Sequence, residues 1–313
     1  MALPLGLSTL ALRDLLGGRL RSATPMGEWG SLRDPRFAGP EDLAILGSRV
    51  SREDRLGCRA GLRAVGPETL DETALEVDSP EDALVRLVRH LARPVEDLWW
   101  SVEEVVARFG ERARFSRLHR SCQIGEEARI GAGVVVHAHV RIGGRCEIGD
   151  GVVLGAEGFG MASGDAGPAT MLPHRAGVVL EDGVVIGSQS NVAAGLLEPT
   201  WIGSGCRIDA LVQIAHNCRI GEGCILAAQV GLAGSVDLGP GCLVGGQAGF
   251  ADHVRLGAGC RVAGQSGVTK SWGPGTVLVG FPARPRGRAS RDPRHTVLIQ
   301  RTVPDPKARN PET

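Results

Sequence analysis

The chain has 313 residues, a formal net charge of zero at pH 7 and 42% hydrophobic residues, with no tyrosine. That balance gives no bulk electrostatic argument for nucleic-acid or membrane-surface binding, and no window offers the roughly 18 apolar residues of a spanning helix. Glycine, at 46 residues, is about twice its usual share, so tight backbone corners must recur over a core of Val, Ile, Leu and Ala.

Met1–Gly18 is mildly apolar, but it lacks a basic start and carries Arg13 and Asp14. It is a poor signal peptide, so a cytoplasmic protein is expected. Residues 1 to about 117 are not repetitive. Ser8 can cap a helix running to Leu16, with Gly17-Gly18 ending it. Ser79-Pro80-Glu81-Asp82 is a strong helix start: a capping hydroxyl, proline in the first turn, then acids at the positive end of the helix dipole. Leu84, Leu87, Val88 and Leu91 follow at helical spacing, and Pro94 stops the run. Leu43–Leu46 and Ala74–Val77 read as strands, and Ser101–Phe109 as a connecting helix. The expectation is a small α/β domain over 1–117.

From Ile124 the rhythm changes. Ile124, Ile130, Val136, Ile142, Ile148 and Leu154 fall at every sixth position, and Leu180, Ile186 and Val192 continue in a shifted phase. Twelve more, from Ile202 through Ile208, Ile214 and Ile220 to Val268, keep strict step. A period of six is neither helical nor a simple alternation. It fits short strands joined by tight turns, with one residue per strand pointing into a narrow core, and internal repeats outrank local propensity in choosing a fold. Three hexads close a triangular coil, so residues 18 apart should stack.

The cysteines follow the same beat. Seven of the eight sit two residues before an inward apolar position, and Cys206, Cys224, Cys242 and Cys260 are each 18 apart. Their spacing follows the repeat rather than a chelating cluster, so they read as small, soft core residues. No metal or cofactor is expected. Two stretches interrupt the repeat: the Gly-rich Glu157–Gly177, with Gly158-Phe159-Gly160 and Pro173-His174, and the shorter Ala193–Thr200. A regular prism has no pocket, so loops leaving it are where a site can be built. The β-helix is expected over 118–282. A basic tail follows over 283–313, carrying Arg284, Arg286, Arg288 and five further cations against three acids.

Gly155-Ala156-Glu157-Gly158-Phe159-Gly160, Gln213-Ile214-Ala215-His216-Asn217, Leu232-Ala233-Gly234-Ser235 and Gly280-Phe281-Pro282 resemble the UDP-3-O-acylglucosamine N-acyltransferases of lipid A synthesis, in content, order and separation. The resemblance covers about residues 124–285 and implies a mostly β chain: a left-handed parallel β-helix of hexapeptide repeats, a small α/β domain before it and a short tail after it. It also implies a homotrimer with active sites between subunits, an acyl carrier protein as donor and a UDP-sugar as acceptor. His216 matches the general base, Asp209 the acid that orients it, and Gly234 the backbone oxyanion donor. Gly234 lies 18 residues after His216, one coil directly above. His253, Phe159 and Asn217 match substrate- or donor-binding positions. His174 lies on the matching loop but at no family histidine, so it reads as structural, and His137 and His139 read as surface residues.

The match fails elsewhere. The family's uracil platform of aromatic and amide side chains aligns with Ile45, Ser48 and Ser51, and its Ile-Asp-Arg-Gly stretch is Val192-Ala193-Ala194-Gly195 here. Gly267 stands where a bulkier groove residue is usual, which suggests room for a longer acyl chain. Three other readings stay open on these grounds: a divergent acyltransferase with another amino sugar or acyl-CoA, a non-catalytic paralogue that binds acyl carrier protein, and a metal-dependent β-helix enzyme. The last needs three convergent histidines.

Overall fold

A computed structural model describes residues 3–21, 23–46, 50, 52–60, 62–69, 73–91, 98–162 and 170–285. Ser48, Ser51, Pro94 and the tail beyond Pro285 lie outside the described residues.

The chain opens with β1 (Leu3–Ser8), α1 (Thr9–Leu16), β2 (Arg19–Leu20), β3 (Glu28–Leu32) and β4 (Asp42–Ile45), followed by α2 (Arg52–Gly57), β5 (Leu62–Val65), β6 (Leu75–Glu76) and α3 (Pro80–Leu91). The strands form one mixed sheet in the order β1-β3-β4-β5-β6-β2. The local signals behave as their chemistry requires. Ser8 Oγ accepts from Ala11 N–H, and Gly17 ends α1 in the left-handed region at φ 66°. Ser79 Oγ accepts from Asp82 N–H at the head of α3. Leu12 and Leu16 of α1 and Ala83, Leu87 and Val88 of α3 cover the sheet. A fourth helix, α4 (Val102–Phe109), starts in a reciprocal capping box between Ser101 and Glu104. Its buried Val105 joins the core of the following β-helix, with Trp100 and Phe109 packed against the same core.

From Arg117 the chain winds into a left-handed parallel β-helix of hexapeptide repeats. Three sheets of eight, seven and nine strands form its faces. Gln213 pairs with Gly231, Arg219 with Asp237 and Arg207 with Ile225, so a coil without an interruption advances the chain by 18 residues on every face. The sixth-position residues fill the interior: Ile202, Ile208, Ile214, Ile220 and Leu226 are essentially inaccessible. Burial of each such side chain stabilises the fold by about 1.5–3 kcal/mol. The cysteines are free thiols beside this core. Cys206, Cys224, Cys242 and Cys260 donate from Sγ to the carbonyls of Gly221, Gly239, Gly257 and Gly273, at 3.1 to 3.4 Å. Burial pushes the Cys218 thiol up to about 12, as expected for a side chain that packs rather than reacts.

The two interruptions leave the prism together. Ala176 N–H donates to Gly195 O and Gly195 N–H to Gly177 O, each at 3.0 Å, which zips them to one another. The shorter one also ties the β-helix to the mixed sheet. Its Leu197 is buried in the α/β core with Leu196 alongside, and its Glu198 takes a bidentate pair from Arg33 at 2.6 and 3.0 Å. Arg219, on the seven-stranded face, lies over both Phe37 and Trp201. No helix among the described residues is long and apolar enough to cross a membrane.

Candidate active site

The site sits where the zipped loops meet the edge of the eight-stranded face. The strand Gln213–Ile214 ends there, and the corner that follows is Ala215-His216-Asn217. Asn217 takes the left-handed conformation the corner demands, at φ 60°. Asparagine tolerates that region better than most residues. Its backbone N–H donates to the buried Thr200 Oγ1 at 3.0 Å.

The Asn217 side chain determines the state of His216. Its Oδ1 accepts from Leu196 N–H at 3.2 Å and lies 3.0 Å from His216 Nδ1. A backbone N–H can only donate, so the atom it meets is the amide oxygen. His216 Nδ1 therefore carries a proton and donates, which leaves Nε2 with a free lone pair. Asn217, expected among the binding residues, thus orients the histidine.

That lone pair faces a space made by glycine. A Cβ on Gly234, one coil above, would lie 2.6 Å from His216 Cε1 and 2.8 Å from Nε2. Only glycine lets the corner come this close. Ser235 N–H donates to His216 O at 2.9 Å and locks the two corners in register. The Gly234 N–H itself has no acceptor among the described residues.

Three expectations need correction. Asp209 does not meet His216. It follows the strand Arg207–Ile208 of the nine-stranded face, at a different corner of the triangle, where its exposed carboxylate accepts from Ala210 N–H at 2.8 Å. The position beside His216 Nδ1 belongs to Asn217 instead. His174, read as structural, is pressed against the site. Its ring centroid lies 4.6 Å from that of His216 at an interplanar angle of 50°, and it is only 3% exposed. Gly158 and Gly160 admit it, since side chains there would overlap the His174 ring, and one at Gly158 the Cβ of His216 as well. The signal in the sequence was the pairing of Gly158-Phe159-Gly160 with Pro173-His174 in one excursion. Finally, His137 and His139 are half-buried, and His137 packs edge-on against Trp99 with the buried His119 nearby.

His253 and Phe159 lie at the rim. His253 is exposed one coil beyond Ser235, its N–H donating to Gly234 O at 3.0 Å. Phe159 projects into solvent between the two glycines that hold the histidines. Above the site, on the same face, runs a groove of about 380 Å³. Its floor is a column of glycines at successive coils: Gly231, Gly249 and Gly267. Cβ atoms on the first two would meet open space. On Gly267 one would overlap the Phe281 ring, so the room expected at Gly267 is already filled. Ile45 is buried in the α/β core and offers no platform for a base. No group of three or more His, Cys, Asp or Glu among the described residues is placed to hold a metal.

Residues 117–156 and 199–234 match the bacterial transferase hexapeptide (six repeats) family. Over 88 residues, 28% of this chain, the sequence is 46% identical to the UDP-3-O-acylglucosamine N-acyltransferase of Xanthomonas oryzae pv. oryzae. Over 86 residues it is 41% identical to the Coxiella burnetii protein of the same name. These matches span 26% and 25% of the relatives' length, so the chain covers about a quarter of each. Among solved structures, UDP-N-acetylglucosamine acyltransferase from Campylobacter jejuni is similar at 25% sequence identity and a TM-score of 0.46, over 55% of this chain and 72% of that one.

Two outcomes follow from the paired histidines. Burial, reinforced by His216 and then by Arg175, lowers the His174 pKa from 6.5 to about 4. The unfolded chain therefore binds the extra proton first as pH falls. His174 costs the fold stability progressively between pH 6.5 and about 4, on the order of 3 kcal/mol across that window. Urea denaturation at several pH values is expected to show a shallower loss for His174→Gln than for the parent. Separately, ¹⁵N NMR is expected to find neutral His216 protonated at Nδ1. Asn217→Gly keeps the left-handed corner but removes the acceptor, and should shift His216 toward the Nε2–H tautomer.

Proposed function

We propose that this protein is an N-acyltransferase of lipid A biosynthesis. It moves a 3-hydroxyacyl group from acyl carrier protein to the 2-amine of UDP-3-O-acylglucosamine, with His216 as general base. The observation that carries the reading is the Asn217–His216–Gly234 arrangement: an imidazole held with its Nε2 lone pair free, beneath a glycine whose N–H is unclaimed. The names of the partial relatives supply the substrate class.

The chemistry balances on these groups. The amine nitrogen attacks the thioester carbonyl carbon, and its proton passes to His216 Nε2. The carbonyl oxygen becomes an oxyanion, for which Gly234 N–H is the assigned donor. Collapse breaks the C–S bond, and the departing thiolate takes the proton from His216. Within one chain, Asn217 rather than Asp209 is the residue beside His216 Nδ1. The glycine-floored groove, open at Gly231 and Gly249 and closed by Phe281, is assigned to the acyl chain. His253 and Phe159 stand at the entrance for donor or acceptor. The protein works as a cytoplasmic homotrimer, and the residues to about 117 act as a separate acceptor-side domain.

One observation favours a second reading with a different acceptor. Ile45 is buried in the α/β core, so it offers no surface on which a nucleobase could stack. Ala193 and Ala194 are also buried and apolar. A divergent enzyme acting on another amino sugar, or using acyl-CoA, fits these features.

Acyl transfer is measured with UDP-3-O-acylglucosamine and alternative UDP-amino sugars, each with acyl carrier protein and acyl-CoA donors. His216→Ala is expected to lower kcat by about 10²–10⁴-fold, and full activity in that variant would reject the mechanism. Activity confined to another amino sugar or to acyl-CoA would establish the second reading. Phe281→Ala should open the end of the groove at Gly267 and move the preferred acyl chain to greater length, read by competition between donors of graded length.

A further inference from the structure

The Asn217 side chain could meet His216 Nδ1 in two ways. With the amide oxygen facing it, Nδ1 carries the proton and Nε2 keeps its lone pair. With the amide NH2 facing it, Nδ1 becomes the acceptor and the proton moves to Nε2. The two orientations are nearly equal in shape and opposite in consequence, so the amide is a two-state element that decides whether Nε2 can accept a proton. Leu196 N–H holds it in the first state by donating to the same Oδ1 at 3.2 Å. Turning the amide over would set one N–H against another and leave a donor unmet.

That donor is not fixed by the β-helix alone. The loop over 193–200 meets Asn217 twice: Leu196 N–H reaches its side chain, and Thr200 Oγ1 accepts from its backbone N–H at 3.0 Å. Between these contacts the loop is held by the α/β unit. Leu197 is buried in that unit's core, with Leu196 packed against it. Glu198 accepts from Arg33 Nε at 2.6 Å and from Nη2 at 3.0 Å. Arg33 directly follows β3, and its N–H donates to Leu43 O of β4 at 3.0 Å, so it is anchored in the mixed sheet. The turn between is tight: Glu198 O approaches Gly195 so closely that a Cβ there would overlap it. Leu196 and Glu198 therefore move as one piece.

We propose that Arg33 and Glu198 are positioning residues for His216. Their ion pair clamps the loop, the clamped loop holds Leu196 N–H against Asn217, and the locked amide keeps the His216 proton on Nδ1. The consequence for acyl transfer rests on the reading of His216 as general base, whereas the relay from Arg33 to the tautomer does not. With the clamp removed, the loop can withdraw its N–H, the amide is free to turn, and Nε2–H histidine gains population.

The test uses the full-length chain and ¹⁵N NMR of the His216 ring. Arg33→Met combined with Glu198→Gln removes the pair without leaving a buried carboxylate behind. It is expected to move the ratio of Nδ1–H to Nε2–H histidine by about 10-fold toward Nε2–H. Arg33→Lys keeps the charge but not the paired contacts, and should give a smaller shift in the same direction even if the double variant fails to fold. A carboxylate has no donor edge, so in an Asn217→Asp background either oxygen accepts from Nδ1 whatever the loop does. There the clamp variants should leave the tautomer unchanged. An unmoved tautomer in the clamp variants overturns the proposal, and so does an equal shift in the Asn217→Asp background. Acyl transfer from a 3-hydroxyacyl carrier protein to UDP-3-O-acylglucosamine gives the second readout: kcat should fall in step with the Nδ1–H share, with KM for both substrates unchanged. A loss of kcat without a tautomer shift overturns the proposal. A tautomer shift that leaves kcat untouched, or a parent protein without acyl transfer, removes the reading of His216 as base and leaves the relay standing.

Discussion

Parallel register at 18 residues per coil is the constraint on which everything else in the β-helix depends. Each strand is only two to four residues long, too short to hold any shape by itself. It persists because the coils above and below supply its hydrogen bonds at about 4.8 Å spacing. The same stacking that buries Ile202, Ile220 and Leu238 on one face puts His216, Gly234 and Asp252 in line at one corner. A side chain at such a corner has almost no freedom in position. The site inherits its rigidity from the repeat, and what remains to be chosen is chemistry: imidazole on one coil, hydrogen on the next.

Register alone does not orient an imidazole, and here the irregular segments matter. The loop over 193–200 leaves the prism, buries Leu197 in the α/β core and is clamped by the Arg33–Glu198 pair. Glu198 is only 8% exposed while the Arg33 side chain is 31% exposed, so the pair is partly screened but removing Arg33 would strand a buried carboxylate. The loop held in this way presents Leu196 N–H to Asn217, and Asn217 in turn fixes the tautomer of His216. The α/β unit is therefore coupled to His216 through one leucine anchor and one backbone donor.

This division explains what could be read in the sequence. The hexads, the stacking of cysteines and the placement of Gly234 over His216 all follow from a period, and a period survives in one dimension. The helix starts at Ser8, Ser79 and Ser101 were equally legible, because capping is local chemistry. Asp209 is singled out by the family resemblance alone, and within one chain seven residues carry it to a different corner of the coil from His216. His174 was missed because it lies on a loop whose return path no repeat dictates. Gly158 and Gly160 were visible as glycines, but only the fold shows that they make room for a second ring rather than a ligand's backbone contact. Phe281 closing the gap at Gly267 is of the same kind, since the two are brought together only by the last turn of the helix.

The glycine positions around the site fall into two sets with different physical roles. Gly158, Gly160 and Gly234 are occupied from outside by imidazole, so any side chain there would displace one of the two rings. Gly231 and Gly249 meet nothing and leave an apolar trough along the face. Adjacent hexads of the same face place Asn191 and Gln213 at the equivalent outward positions, so the glycine floor begins one coil above Gln213, with Gln247, Gln265, Ser266 and Thr269 also lining the groove. The order of residues along one face thus sets where the glycine floor begins relative to His216.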